Sequence, residues 1–171
     1  MSAIFTEDTY EQAIIELFEN MGYEHLYAPD LERDYSSPLL DFMLRDCLVR
    51  INRGLPLDAI EEAIAKLRIF DTGSLLQKNI LFMDYIQNGI TVKFFVKGEE
   101  QASIVRLIDY ENVKNNTFYV VNQFTFLENG NNRRPDIILF INGLPLVLME
   151  LKSPAKDEVD AENAYNQIRN Y

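Results

Sequence analysis

The segment PDIILFINGLPLVLMELK, residues 135–152, carries the strongest indication of the fold. Two apolar runs, Pro135–Ile141 and Leu144–Lys152, flank Asn142-Gly143, a dipeptide that favours a tight β-hairpin turn. Both runs are short and rich in large apolar side chains, which is typical of buried strands. The segment therefore predicts a hairpin whose charged side chains lie at its open end.

Those charged side chains are Asp136, Glu150 and Lys152. A carboxylate beside apolar runs is costly unless it is paired or bound to a metal ion. Glu150 and Lys152 are two residues apart, so on a strand they point to the same face. Two carboxylates and an ammonium on one face suit phosphodiester hydrolysis, because hard oxygen ligands bind Mg2+ or Mn2+. The spacing alone leaves open an ordinary Glu150–Lys152 ion pair at a strand end, with Asp136 as a turn residue.

The hairpin register decides whether Asp136 shares that face. A two-residue loop at Asn142-Gly143 places Asp136 opposite Met149, facing away from Glu150. A three-residue loop with a bulge at the glycine places Asp136 opposite Leu148, on the face of Glu150 and about 5–8 Å from it. A shared site therefore requires an odd-length loop or a compensating bulge.

The N-terminal half of the chain has helical patterns. Thr6 begins a predicted helix that Gly22 ends, and Ser37-Pro38 begins a second that runs to about Arg53. A short third helix begins at Asp58, and a capping box at Ser74-x-x-Gln77 begins a fourth, which ends at Gly89.

Strand patterns follow these helices. We predict strands over Ile90–Val96, Ser103–Ile108 and Thr117–Leu127, and a last helix from about Lys156 to Tyr171. Helices, then a run of strands, then a helix indicate an α+β arrangement.

The composition limits the function in several ways. No apolar run is long enough to span a membrane, and the acidic N-terminus differs from a secretory signal. Cys47 is the single cysteine, which suits a reducing cytoplasm, and we expect it in the core. We expect the single histidine, His25, in an exposed loop. The net charge of −11 argues against a simple nucleic-acid binder, but residues 133–171 carry five basic and six acidic side chains, so most of the acidity lies elsewhere.

A family resemblance adds to these observations. Pro135-Asp136, thirteen further residues and then Glu150-Leu151-Lys152 match the PD-(D/E)xK nuclease motif. Residues 122–154, NQFTFLENGNNRRPDIILFINGLPLVLMELKSP, resemble more narrowly the nuclease region of the restriction (R) subunit of type I restriction-modification enzymes. Gln167 and Tyr171 match the Gln-x-x-x-Tyr element that such nucleases carry on the following helix, where residues four apart share a face.

The resemblance implies an α+β fold with an α/β-like restriction-endonuclease core. That core is a central mixed sheet with a hairpin-borne active site, flanking helices and an N-terminal helical region. It further implies one PD-(D/E)xK nuclease domain over residues 1–171, with a helical insertion at about 37–89 and the sheet and catalytic core at 90–171.

The resemblance also assigns roles to individual residues. The expected catalytic residues are Asp136, Glu150, Lys152, Gln167 and Tyr171. The expected ligands of Mg2+, or of Mn2+ as a substitute, are Asp136, Glu150 and the backbone carbonyl of Leu151. Glu11, in the first helix, lies where the family carries an acidic residue near the metal; the alternative is a solvated helix glutamate.

At the level of function, the resemblance implies a cytoplasmic Mg2+-dependent type I site-specific deoxyribonuclease. It would cleave double-stranded DNA in defence against foreign DNA, with modification and specificity subunits as partners. The chain has no Gly-x-x-x-x-Gly-Lys-Ser/Thr loop, so we expect a fragment of a longer subunit whose motor region binds ATP. We expect weak cutting, or none, by the isolated domain. The alternatives are a non-catalytic docking module that keeps a nuclease fold, or a nuclease of another DNA-processing system.

Overall fold

The computed structural model describes residues 6–70, 73–128 and 130–152, together with 165, 166, 168 and 169. These residues form the predicted α+β fold. Its helices are α1 (Glu7–Asn20), α2 (Asp41–Ile51), α3 (Leu57–Arg68) and α4 (Leu75–Asn88). Its strands are β1 (Glu24–Tyr27), β2 (Ile90–Val96), β3 (Glu99–Val105), β4 (Phe118–Asn122), β5 (Phe126–Glu128), β6 (Asn131–Arg133), β7 (Ile137–Ile141) and β8 (Leu144–Met149). In the described ranges, no helix combines the length and the apolar character needed to cross a membrane.

The chain divides into two compact units. The sheet unit comprises the residues up to Leu39 and those from Phe118 onward, and the helical unit comprises Leu40–Thr117. The helical unit extends past the insertion expected at 37–89, because the antiparallel β2–β3 hairpin packs on α3. Cys47 is buried in this unit, as expected.

Of two predicted helix starts, the one at Ser74 is confirmed and the one at Ser37-Pro38 is wrong. Ser74 caps α4 with the capping box that its sequence predicts, since Ser74 and Gln77 each accept a hydrogen bond from the other's backbone N–H. The predicted start of α2 at Ser37-Pro38 is wrong, because α2 begins at Asp41. The Ser37 hydroxyl instead accepts a hydrogen bond from the N–H of Leu39, so it stabilises a turn before the helix.

The sheet unit contains a mixed four-stranded sheet in the order β1-β4-β7-β8. β1 runs parallel to β4, and the remaining neighbours are antiparallel. The predicted strand over Thr117–Leu127 is two strands, because Gln123 adopts a left-handed conformation with φ 56° and ends β4. β5 then pairs with β6 in a separate two-stranded ribbon.

Helix α1 packs on one face of this sheet. Thr6 caps it, as its sequence predicts, and also forms a capping box with Thr9 that the sequence did not indicate; Ile15 is its buried residue. Ile15 packs with Val120 of β4 and with Ile137 and Leu139 of β7. This cluster packs the helix against the middle of β4 and the first half of β7.

Candidate active site at one end of the mixed sheet

The β7–β8 hairpin combines an even turn with a bulge. Ile141 pairs with Leu144 across Asn142-Gly143, whose φ values of 53° and 87° are those of a type I′ turn. Leu139 then pairs with Val147 rather than with Leu146, so Leu146 is the extra residue of a β-bulge. The three-residue loop does not form, and the compensating bulge is present.

The bulge determines which side chains meet at the open end of the hairpin. Beyond it, Ile137 pairs with Met149, so the same register places Asp136 opposite Glu150. Opposite residues of an antiparallel pair share a face. The structure therefore brings together the two carboxylates that a simple two-residue hairpin would separate.

Asp136 is a half-buried carboxylate whose surroundings disfavour its charged form. Its Oδ2 accepts a hydrogen bond of 2.6 Å from the backbone N–H of Leu151, which joins the two strand ends. Burial raises the pKa of Asp136, and the negative charges of Glu150 and Glu11 raise it further. The Leu151 N–H and the Lys152 ammonium oppose this rise in pKa without cancelling it. A cation beside Asp136 would favour the charged carboxylate and so lower the pKa.

Glu150 and Lys152 form a close ion pair. Lys152 Nζ lies 2.7 Å from Glu150 Oε1, and the Glu150 side chain is only 3% exposed against 26% for Lys152. A buried carboxylate of this kind requires a positive partner, because desolvation disfavours its charged form. The ammonium is the more accessible group, so it can meet a ligand that approaches from solvent.

Glu11 reaches this end of the sheet from α1. Its Oε1 accepts a hydrogen bond of 2.7 Å from Asn122 Nδ2, and its Oε2 accepts one of 3.2 Å from Gln123 Nε2. The backbone N–H of Gln123 donates at 3.3 Å to the carbonyl of Asp136. Two side-chain amides therefore hold Glu11 at this end of the sheet.

His25 is not the exposed loop residue that the sequence suggested. It lies in β1, is partly buried, and pairs in register with Val120 of β4. Its Nε2 is 3.0 Å from Asn122 Oδ1. The expectation failed because β1 is four residues long and is paired on the side of β4, a non-local contact that its own sequence does not indicate.

The donor set fits a small divalent cation in part. Asp136, Glu150 and the carbonyl of Leu151 are hard oxygen donors, and Mg2+ in proteins is commonly held by one or two carboxylates with several waters. Within the ranges that the structure describes, no three Asp, Glu, His or Cys side chains are grouped closely enough to hold a metal ion. Glu11 therefore does not complete a three-carboxylate cluster with the other two.

Some expected site residues cannot be compared with the structure, and others were missed. Gln167 and Tyr171 lie outside the described residues. Asn122 and Gln123 also lie at this end of the sheet and were not expected there. The signal for Asn122 is a polar side chain at the end of the apolar strand FYVVN, where it is only 4% exposed.

Comparison with known proteins places these residues in a family context. Residues 4–171 match the family described as "Type I restriction enzyme R protein N terminus". The chain is 33% identical to the type I restriction enzyme HindI endonuclease subunit of Haemophilus influenzae, over 98% of this chain and 17% of that protein. It is 31% identical to the putative MjaIXP endonuclease subunit of Methanocaldococcus jannaschii, over 91% of this chain and 16% of that protein. The chain thus spans about a sixth of the length of these two relatives.

Proposed function

This chain belongs to the family of type I restriction enzyme R protein N-termini, and we propose that it hydrolyses phosphodiester bonds of double-stranded DNA for such an enzyme. The observation that carries the proposal is the bulged register, which ends at the pair Ile137–Met149 and whose continuation sets Asp136 opposite Glu150. Lys152 joins them through its ion pair with Glu150. Two carboxylates and an ammonium at one strand end are the groups that metal-assisted hydrolysis of a phosphodiester uses.

In this proposal Asp136, Glu150 and the carbonyl of Leu151 would hold Mg2+, or Mn2+ as a substitute. When bound, such an ion supplies Lewis acidity and lowers the pKa of a bound water. Glu11 would act from the edge of this group, accepting hydrogen bonds from waters that Mg2+ retains. Burial, and then repulsion from Glu150, raises the pKa of Asp136, and this supports the assignment because a bound divalent cation would favour the charged form.

Lys152 would stabilise the negative charge that builds on the phosphate oxygens during attack. Its pairing with buried Glu150 keeps the ammonium at the strand end, and its 26% exposure leaves it accessible to substrate. Gln167 and Tyr171, from the segment that follows, would complete the catalytic set. Their role rests on the sequence motif alone.

Other parts of a larger enzyme would supply what this acidic chain lacks. With a net charge of −11, the chain is poorly suited to hold a DNA duplex without cations and partners. We propose that the modification and specificity subunits provide DNA recognition in the cytoplasm. ATP would bind a motor region and not these residues. The isolated chain would accordingly cut DNA weakly or not at all.

The test is plasmid nicking by the assembled restriction complex that carries this chain. Asp136→Ala and Glu150→Ala are expected to abolish nicking, and Lys152→Ala to lower its rate about 10²–10³-fold, the typical cost of removing one transition-state donor. Matched controls are Glu100→Ala and Lys93→Ala, which break an exposed 3.1 Å ion pair in the β2–β3 hairpin. Both controls should cut at the parental rate.

The metal requirement is tested separately on the chain itself. Calorimetry should detect Mn2+ binding that Asp136→Ala and Glu150→Ala remove and that Lys152→Ala largely retains. Parental nicking by all three site variants would refute the nuclease proposal and favour a docking module. Loss of nicking without any Mn2+ binding would keep the site and reject the metal assignment.

A further inference from the structure

Both oxygens of the Glu11 carboxylate are held by neutral side-chain amides. Asn122 Nδ2 donates to Oε1 at 2.7 Å, and Gln123 Nε2 donates to Oε2 at 3.2 Å. Two donors on the two oxygens restrict the rotation of the carboxylate as well as its position. Fixing a glutamate side chain costs rotamer entropy, and these two hydrogen bonds offset that cost. We call these two residues the amide clamp.

The amide clamp is built at the point where β4 ends. Asn122 is the last residue of β4 and pairs with Ile137, the first residue of β7. Gln123 follows in the left-handed conformation, which L residues other than glycine seldom adopt. This conformation lets the Gln123 backbone N–H bind the carbonyl of Asp136 while its side chain binds Glu11. One residue therefore connects α1 to the strand that bears Asp136, and backbone strain at such a position is often associated with a functional site.

His25 fixes the orientation of the first amide. A carboxylate accepts hydrogen bonds and cannot donate, so Asn122 must turn its Nδ2 toward Glu11 and its Oδ1 toward His25. The Nε2 of His25, 3.0 Å from that oxygen, must then carry a proton. A chain of hydrogen bonds runs from His25 through Asn122 to Glu11, and the amide is 4% exposed, so water does not replace either partner.

We propose that Asn122 and Gln123 are positioning residues that fix the Glu11 carboxylate at the end of β4, where Gln123 also binds the carbonyl of Asp136, and that His25 orients Asn122 for this task. The role rests on the proposed function, since its purpose is to preorganise negative charge around a divalent cation. The amides touch neither cation nor substrate; they act through Glu11. Removing a partner that orients a direct metal ligand typically changes metal affinity 10–100-fold, and the lower end of that range is expected for a carboxylate that binds the ion through water.

The experiment measures Mn2+ affinity of the whole chain by calorimetry. Gln123→Met and Asn122→Leu keep the size of each side chain and remove its donor, and each should weaken Mn2+ binding about 10-fold. Glu11→Gln should weaken it at least as much. Gln101→Met, at an exposed position of β3 in the helical unit, is the matched control and should bind like the parent.

A double variant separates positioning from general damage. If Gln123 acts through Glu11, then adding Gln123→Met to Glu11→Gln should cause no further loss, because the coupled effects are not additive. Additive losses would overturn the proposal. If Asn122→Leu does not fold, the comparison of Gln123→Met, Glu11→Gln and their double variant still tests the proposal, because Gln123 is partly exposed.

A conservative variant of His25 provides a rescue test. His25→Gln retains an amide donor for Asn122 and should bind Mn2+ more tightly than His25→Phe, which cannot donate. Equal affinities would reject the role of His25. Asp136→Ala distinguishes the two proposals: if it abolishes binding while the clamp variants match the parent, the inference fails and the proposed function stands. No Mn2+ binding by the parent would reject the inference and the metal assignment, whereas the proposed cleavage of DNA would still be decided by the nicking test.

Discussion

Replacing Ile15 by alanine tests whether α1 is held on the sheet by the cluster that also sets the position of Glu11. Ile15 is 2% exposed and packs among Val120, Ile137 and Leu139. The change removes three carbon atoms, worth about 2.4 kcal/mol at about 0.8 kcal/mol per buried methylene. The cavity that remains adds to this, so the free energy of unfolding should fall by about 3 kcal/mol, within the usual range for Ile→Ala.

The assay is urea unfolding followed by circular dichroism, with the slope m required to match the parent. Leu17→Ala is the matched control, because it removes the same number of carbons from the same helix at a side chain that is 53% exposed. It should cost about 1 kcal/mol or less. Equal costs for Ile15→Ala and Leu17→Ala would refute the packing of α1 through Ile15.

Three further predictions concern the site and the core. Asp136→Asn should raise the melting temperature at neutral pH, because burial and then Glu150 raise the pKa of Asp136 and so disfavour its ionised form in the folded state. Because the pKa of Asp136 is raised in the folded state, the free energy of unfolding of the parent falls as pH rises from the unfolded-state pKa of this carboxyl through its folded-state pKa. A pH series of melting curves should therefore show that the stability gain of Asp136→Asn vanishes in acid. Deleting Leu146 removes the bulge but keeps Asp136 opposite Glu150, so calorimetry should find parental Mn2+ affinity; its loss would contradict the register argument. Asn52→Ala should cost about 2–3 kcal/mol in urea titrations, since buried Asn52 both donates to the carbonyl of Arg106 and accepts from its N–H; a cost below that of a surface change would contradict this.

Local signals in the sequence predicted local structure well. The capping residues Thr6 and Ser74 begin α1 and α4 as expected, and Ile90–Val96 is a strand with the predicted bounds. The reason is that a cap or an alternating pattern acts within a few residues of chain. Ser37-Pro38 failed because the same residue types also stabilise turns, and a serine hydroxyl cannot indicate which amide it will bind.

The candidate site was only partly predictable from the sequence, because some of its contacts join residues far apart in the chain. The carboxylates of Asp136 and Glu150 were identifiable because charge stands out beside apolar runs, and the turn sequence led to the requirement for an odd-length loop or a compensating bulge. The location of the bulge at Leu146 did not follow, since several positions satisfy the same register. The contact between His25 and Asn122 was missed because it depends on β1 pairing beside β4, which joins residues far apart in sequence.

The bulge at Leu146 also bears on how this hairpin can change length in evolution. Paired residues around a plain two-residue turn always enclose an even number of residues, but thirteen separate Asp136 from Glu150. Insertions or deletions of two residues at the turn therefore preserve the site, whereas a change of one must be absorbed by losing the bulge or by gaining a second. Relatives that differ by one residue between the two acids should differ in their bulges, and a search that fixes this spacing at thirteen will pass over them.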